Sequence, residues 1–112
     1  MNHHYQPTDH FSKKLHHLKK ADPSGYRRVR KMIGRLLAQP DDADGRMVGI
    51  YHGKLKKYVG RRDYRIIYYW CALCHKENRR QHCHIIPDNS VIFFDLYHKK
   101  DKKKLKRQSQ HY

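Results

Sequence analysis

The sequence predicts an α+β fold in which a two-helix hairpin packs on a small antiparallel sheet. Two segments with helical spacing of apolar residues come first, and segments typical of strands follow them. Tyr64–Trp70 is apolar or aromatic on both faces except at Arg65, which is typical of a strand in the middle of a sheet. Because the helices precede the strands instead of alternating with them, we expect both helices on one face of the sheet.

Length and composition predict one small basic domain. The chain has 112 residues, of which 38% are hydrophobic, so its core is expected to be small. No segment is apolar enough to cross a membrane, and the polar N-terminus does not look like a signal peptide, which together predict a cytoplasmic protein without membrane contact. The formal charge of +16 favours an anionic partner, with nucleic acid first and an acidic protein second. A merely solvated basic surface is the alternative.

The first helix is predicted over residues 11–20. Phe11, Leu15 and Leu18 recur at helical spacing, and Thr8 or Asp9 precedes them as a candidate N-cap. The ten residues before the helix are polar and His-rich and contain Pro7, so they predict at best a short edge strand near residues 5–6.

The second helix is predicted from Pro23 to a point before Pro40. Asp22 suits the N-cap and Pro23 the first helical position. One face is apolar and the others are basic; the apolar stripe comprises Tyr26, Val29, Ile33, Leu36 and Leu37.

The remaining chain predicts three strands and two irregular segments. Residues 41–45 form an acidic loop, and glycines make residues 47–54 irregular. Strands are expected over Leu55–Val59, Tyr64–Trp70 and residues 91–97, the last with Asp95 as its one polar member. A turn is expected at residues 60–63 and another at residues 87–89.

Cationic side chains cluster at strand ends that antiparallel pairing would bring together, and they suit phosphate chemistry. RNA supplies a nucleophile in its 2′-OH, so a protein needs a cation over the developing phosphorane charge and groups for proton transfer. Arg65 suits the first role and His98 the second, while Tyr97 would stack on a base or hold His98. Lys56 and Lys57 would grip phosphate or transfer protons. Further candidate RNA contacts are Lys54, Arg61, Arg62, Lys99 and Lys100. Ordinary surface positions are the alternative for all of these residues.

Four stretches together resemble the RelE/ParE toxin superfamily over roughly residues 8–100. They are Phe11-x3-Leu-x2-Leu, Asp22-Pro, Gly60-Arg-Arg-Asp-Tyr-Arg-Ile-Ile-Tyr68 and Val91-Ile-Phe-Phe-Asp-Leu-Tyr-His98. The resemblance to the RelE-like branch implies a toxin of a type II toxin–antitoxin system that cuts mRNA in the ribosomal A site without a metal. It also implies a small antitoxin with an acidic segment. The polar first strand departs from the family pattern.

The same resemblance assigns residues and leaves two other functions open. The family's strand arginine falls on Arg65, and its basic residue after the last strand falls on His98, with Lys99 beside it. The ParE-like branch instead inhibits DNA gyrase and does not need the Arg–His pair. A non-catalytic basic RNA-binding module is the third candidate.

The segment 71–84 is an insertion rich in cysteine and histidine. Cys71 and Cys74 form a C-x2-C turn, and Cys83 with His84 could complete a structural zinc site, with His75 or His82 as substitutes for His84. Reduced thiols in a basic loop are the alternative.

The C-terminal segment 99–112 is the last candidate contact region. Seven of the nine residues 99–107 are basic, which predicts a frayed helix or a disordered tail. The tail would contact ribosomal RNA or be simply solvated.

Overall fold

The computed structural model describes residues 3–49, 51–60, 63–70 and 89–101, and in them it shows an α+β fold. Two helices pack on one face of a five-stranded sheet whose strand order is β1-β5-β4-β3-β2. The elements in chain order are β1 (His4–Pro7), α1 (Asp9–Ala21), α2 (Pro23–Ala38), β2 (Gly45–Arg46), β3 (Leu55–Val59), β4 (Tyr64–Trp70), β5 (Ser90–His98) and a 3-10 turn (Lys99–Asp101). The predicted α+β class is confirmed.

Both helices begin at the predicted caps. The Thr8 side chain accepts a hydrogen bond from the backbone N–H of Phe11 at 3.1 Å, so Thr8 and not Asp9 is the cap of α1. Asp22 accepts in the same way from Gly25 at 3.1 Å, and Pro23 occupies the first turn of α2. Each cap satisfies an amide that the helix itself cannot pair, which fixes where the helix starts.

The sheet is mixed, so the expectation of a wholly antiparallel sheet was wrong. β1 pairs with β5 in parallel, from His4 opposite Ser90 to Pro7 opposite Phe93, whereas the other pairs are antiparallel. β1 and β5 are separated by the two helices and three strands, so their relative direction depends on the path of the whole chain. Local sequence patterns do not reveal that direction. The short edge strand near residues 5–6 is confirmed, and the two-residue strand β2 was not predicted.

The main core lies between the helices and the sheet. Phe11 and Val29 from the helices meet Ile66, Tyr68 and Phe93 from the central strands, and none of these five has exposed surface. The ring of Phe93 lies 5.2 Å from that of Phe11 and 6.1 Å from that of Tyr68. The Tyr68 hydroxyl donates to the carbonyl of Pro40 at 2.6 Å, so its polar end is satisfied inside the core.

The predicted insertion 71–84, the turn residues 87–88 and most of the basic tail lie outside the described residues. The 3-10 turn at Lys99–Asp101 is the described start of the tail.

Candidate functional site

The sheet has a second face, opposite the helices, which we call the far face. Side chains alternate along a strand, so β3 turns Leu55, Lys57 and Val59 towards the helices and Lys56 with Tyr58 away from them. The antiparallel register then places β4 and β5 residues beside them. Besides Lys56 and Tyr58, the far face carries Lys54, Arg65, Ile67, Tyr69 and Tyr97.

Arg65 lies at the centre of this face between two aromatic rings. Its Cζ atom is 4.8 Å from the ring centre of Tyr58 and 6.0 Å from that of Tyr97. No ion pair between described residues involves Arg65. Its Nε atom is buried and has no hydrogen-bond partner within the described ranges. A guanidinium that is held by aromatic rings and has no carboxylate partner among the described residues is suited to bind an incoming anion.

Two lysines extend the cationic surface along β3. The Nζ atom of Lys54 lies 4.8 Å from the ring centre of Tyr69 and 5.1 Å from that of Phe94. The Nζ atom of Lys56 lies 5.7 Å from the ring centre of Tyr58, the ring that Arg65 also contacts. Cations interleaved with aromatic rings are typical of surfaces that bind single-stranded nucleic acid.

Tyr97 supports Arg65 and is not an available stacking surface. It is opposite Arg65 in the register, is only 3% exposed and packs with Met47 and Ile67. Burial raises the pKa of the Tyr97 phenol, while the neighbouring Arg65 guanidinium opposes that rise. Because Tyr97 is covered in this way, its ring offers little free surface for the predicted stacking on a base.

His98 does not lie beside Arg65. The register pairs His98 with Tyr64 and Arg65 with Tyr97, so the two candidate catalytic side chains are on opposite faces of the sheet. The His98 ring meets the Tyr64 ring edge-on at 5.1 Å, and its Nδ1 accepts a hydrogen bond from the backbone N–H of Lys100 at 3.1 Å. The structure therefore does not bring Arg65 and His98 together as predicted, because the two residues differ by one position in the strand register. Tyr97 lies beside Arg65 and is not placed to hold His98 for catalysis.

His98 instead lines a groove between α1 and the end of β5. The groove has a volume of about 330 Å³. Its lining comprises Lys14, His17, Leu18, Ala21, Tyr64, Leu96, Tyr97, His98 and Asp101. The Tyr64 hydroxyl donates to Asp22 at 2.7 Å, and burial together with this bond raises the pKa of Tyr64 to about 12. Two hydrogen bonds, from the Gly25 backbone N–H and from the Tyr64 hydroxyl, hold the pKa of Asp22 below its usual value.

Lys57 is buried and paired with two carboxylates, unlike Lys56, the other lysine of β3. It is 8% exposed and its Nζ lies 3.4 Å from an oxygen of Asp42 and 3.5 Å from one of Asp44. The acidic loop therefore folds back onto β3 and neutralises this lysine. Lys56, one residue earlier, is the lysine that the strand presents on the far face.

The other predicted contacts divide between described and undescribed residues. Lys99 begins the 3-10 turn after β5: its N–H donates to the carbonyl of Asp63 at 2.9 Å and its Nζ lies 3.6 Å from the Asp63 carboxylate. Lys100 is exposed. Arg61, Arg62 and the candidate zinc ligands Cys71, Cys74, His75, His82, Cys83 and His84 lie outside the described residues, so a structural zinc stays a prediction. Within the described ranges no group of three or more His, Cys, Asp or Glu side chains could hold a metal ion.

The sequence reasoning missed the group of donors around the buried carboxylate of Asp95. This side chain is 1% exposed and contacts His10 and Lys14 of α1, each at 3.0 Å, and the Tyr51 hydroxyl at 3.0 Å. It lies next to a register shift between β4 and β5, where Ile67 pairs with Asp95 and Tyr68 with Phe93. The sequence did carry a signal for this site: an acidic residue within a strand that is otherwise apolar on both faces is expected to have buried partners.

The chain matches no protein-family model, no curated protein and no solved structure. Neither α1 nor α2 is long and apolar enough to cross a membrane, and no other described helix is.

Proposed function

We propose that this protein is a RelE-like toxin that cleaves ribosome-bound mRNA through the RNA 2′-OH and is neutralised by a small protein with an acidic segment. The observation that carries the proposal is Arg65, a guanidinium fixed between Tyr58 and Tyr97 with no carboxylate partner in the described part of the chain. The motif around it, Gly60 to Tyr68, is the same one that resembles the toxin superfamily. A cytoplasmic location follows from a ribosomal substrate.

The cations of the far face would have different roles in RNA cleavage. The 2′-OH gives its proton to a base as its oxygen attacks phosphorus, and the 5′-oxygen leaves with a proton from an acid. The product is a 2′,3′-cyclic phosphate, and negative charge concentrates on the phosphoryl oxygens in the transition state. Arg65 would stabilise that charge, because its donors are already oriented and need no reorganisation. Lys56 would take part in proton transfer, since Lys57 is neutralised by Asp42 and Asp44 and His98 faces the other way. Lys54, beside the Tyr69 and Phe94 rings, would hold a neighbouring phosphate.

The placement of His98 favours a second candidate, a basic RNA-binding protein that does not cut. An imidazole next to Arg65 would have supplied an acid or base with a suitable proton affinity, and the register removes it from the far face. The two candidates share the binding surface and differ only in whether the bound RNA is broken.

The test compares Arg65→Ala with Arg27→Ala, which removes the same charge from an exposed position on α2. Each variant is expressed in bacteria to measure growth arrest, and each is purified to measure cleavage of mRNA on programmed ribosomes. We expect Arg65→Ala to slow cleavage by about 10²–10³-fold, the usual effect of deleting one group that stabilises a transition-state charge. Arg27→Ala should cut and arrest growth as the wild type does. Thermal unfolding of both variants shows whether the fold is kept.

Three results would redirect the proposal. Intact transcripts together with RNA binding that depends on Arg65 would select the non-catalytic module. Intact transcripts with loss of DNA supercoiling would select inhibition of gyrase. Undiminished cleavage by Arg65→Ala would contradict the role assigned to the guanidinium.

A further inference from the structure

A small pocket lies between α1, α2 and the edge strand β1, on the side of the sheet opposite the far face. Its volume is about 200 Å³. It is lined by Tyr5, Ser12, Leu15, His16, Lys19 and Tyr26. Four of these residues come from α1, where spacings of three and four positions place them on one stripe of the helix. The proposed RNA cleavage makes no use of this site, which we call the hairpin pocket.

The interior of the hairpin pocket offers an apolar floor and two phenol rings. Leu15 is buried and belongs to the main core. The Tyr5 ring packs against the Phe93 ring with 5.3 Å between the ring centres, so the core fixes its position. Burial raises the pKa of the Tyr5 phenol, a rise that the Arg30 guanidinium opposes and the Tyr26 phenol increases. Tyr5 therefore stays protonated at neutral pH, and its hydroxyl can donate and accept hydrogen bonds.

The rim of the hairpin pocket is cationic. The Nζ atom of Lys19 lies 5.8 Å from the ring centre of Tyr26, and the Cζ atom of Arg30 lies 6.0 Å from the same centre. Within the described ranges neither Lys19 nor Arg30 takes part in an ion pair, and no acid is among the lining residues. Two cations held near each other by one tyrosine ring, without a carboxylate in the described chain, are suited to bind a phosphate group.

We propose that the hairpin pocket binds a nucleoside monophosphate, either as a free nucleotide or as the 5′-phosphorylated end of an RNA strand. The base would lie over Leu15 and against the two tyrosine rings, where the Ser12 hydroxyl can bond to its edge. The phosphate would lie at the rim with Lys19 and Arg30. A terminal phosphate monoester carries about −1.5 to −2 charges at pH 7, whereas an internal phosphodiester carries a single one. A rim with two cations and no acid therefore favours the terminal group.

The size of the hairpin pocket limits what it can hold. Pockets that enclose a drug-sized molecule have volumes of about 300–1,000 Å³, so a volume of about 200 Å³ suits one base and not a stack of several. Inorganic phosphate could use only the rim, and an acidic peptide has carboxylates but no flat ring for the floor. The pocket and Arg65 lie on opposite sides of the sheet, so binding here does not depend on whether the far face cuts RNA.

The experiment follows the backbone amide NMR signals of the full chain while AMP is added. We expect the signals of Ser12, His16 and Lys19 to shift along one saturating curve. Signals of Tyr58 and Arg65 report any binding at the far face separately. Adenosine lacks the phosphate and should bind at least about tenfold more weakly, and inorganic phosphate at the same concentration should not displace AMP.

Two oligoadenylates distinguish the sources of the ligand. One carries a 5′-phosphate, and the other has the same length and a 5′-hydroxyl. Displacement of AMP by the phosphorylated strand alone indicates that the pocket binds an RNA end. If neither strand displaces AMP, the ligand is the free nucleotide.

Two matched pairs of variants locate the site. Lys19→Ala removes a rim cation, and Lys20→Ala removes the same charge from the next position, which does not line the pocket. Ser12→Trp fills the pocket from α1, and Ser24→Trp places the same ring at an exposed position at the start of α2. We expect Lys19→Ala to weaken AMP binding by about fivefold, as for an exposed ion pair, and Ser12→Trp to abolish it. Both controls should bind AMP as the wild type does.

The proposal fails if the pocket, the phosphate or the base proves unnecessary for binding. An absence of AMP-induced shifts at Ser12, His16 and Lys19, or equal losses for Lys19→Ala and Lys20→Ala, would place binding outside the pocket. Equal affinity for adenosine and AMP would remove the phosphate from recognition, and displacement by both oligoadenylates alike would show binding of internal phosphodiesters. Tighter binding of phosphotyrosine than of AMP would make the ligand a modified peptide. None of these readouts involves RNA cleavage, so this proposal and the role of Arg65 can fail separately.

Discussion

Replacing Asp95 with asparagine should destabilise the protein more than any other isosteric change of a described acid. The carboxylate is buried, and four donors among the described residues contact it: His10, Lys14, the Tyr51 hydroxyl and the Leu96 N–H. These partners come from α1, from the loop before β3 and from β5 itself, so one side chain ties three parts of the fold together. Asparagine has nearly the same shape but carries no charge and replaces one acceptor with a donor.

The size of the effect can be worked out from these contacts. A hydrogen bond to a charged group contributes about 1.5–3 kcal/mol when buried. The His10 and Lys14 side chains are 49% and 34% exposed, so solvent screens their share. The Tyr51 hydroxyl meets a carboxylate that is 1% exposed and cannot bond an amide NH2 in the same way. We therefore expect a loss of about 3 kcal/mol in the free energy of unfolding, equivalent to a fall in Tm of about 10–20 °C for a domain of this size.

Urea unfolding followed by circular dichroism measures this loss, with equal slopes for both proteins as the check on two-state behaviour. Asp41→Asn is the control, because Asp41 is an exposed acid and should change stability by less than about 0.5 kcal/mol. Tyr51→Phe alone should cost about 1 kcal/mol, and its effect should largely vanish in the Asp95→Asn background. Stability within about 0.5 kcal/mol of wild type for Asp95→Asn would refute the reasoning.

Three further predictions concern other described residues. The pKa of Tyr64 rises from 10.0 to about 12 on folding, so the contribution of Tyr64 to stability is present below pH 10 and is lost as the pH rises towards 12. Tyr64→Phe should therefore flatten the pH dependence of urea unfolding over that range. Lys57→Met should lower the free energy of unfolding by about 1–2 kcal/mol, because two carboxylates lose their cation. Lys56→Met should leave stability unchanged and weaken RNA binding in a filter-binding assay. The reverse pattern would contradict the assignment of the two lysines. Tyr68→Phe leaves the Pro40 carbonyl unpaired in the core and should cost about 1–2 kcal/mol in the same unfolding measurement, and no loss would mean that the 2.6 Å bond contributes nothing.

Most of the secondary structure could be predicted because its signals are local. Thr8 and Asp22 cap the helices that follow them, and Pro40 lies just beyond the end of α2. β3 and β4 have their predicted bounds, since apolar runs between turn residues need no distant partner to be recognised. β2 escaped prediction because two residues have no periodicity.

The candidate site was predicted less well because it depends on register. Arg65 and Lys56 were identified from their motif and lie on one face of the sheet. Lys57, a neighbour in sequence, belongs to the other face and to the acidic loop. Successive side chains of a strand point to opposite faces of the sheet, so an error of one position places a side chain on the wrong face.

The sequence by itself determined the class of the fold, the positions of the helices and central strands, and the strong positive charge that calls for an anionic partner. Only the tertiary structure decided that β1 runs parallel to β5, that Tyr97 and not His98 lies beside Arg65, and that Asp95 joins α1 to the loop before β3. The physical reason is that capping and periodicity act within a few residues, whereas strand pairing and buried ion pairs join residues dozens of positions apart. Those long-range contacts decide which charges are neutralised inside the fold and which stay available to bind.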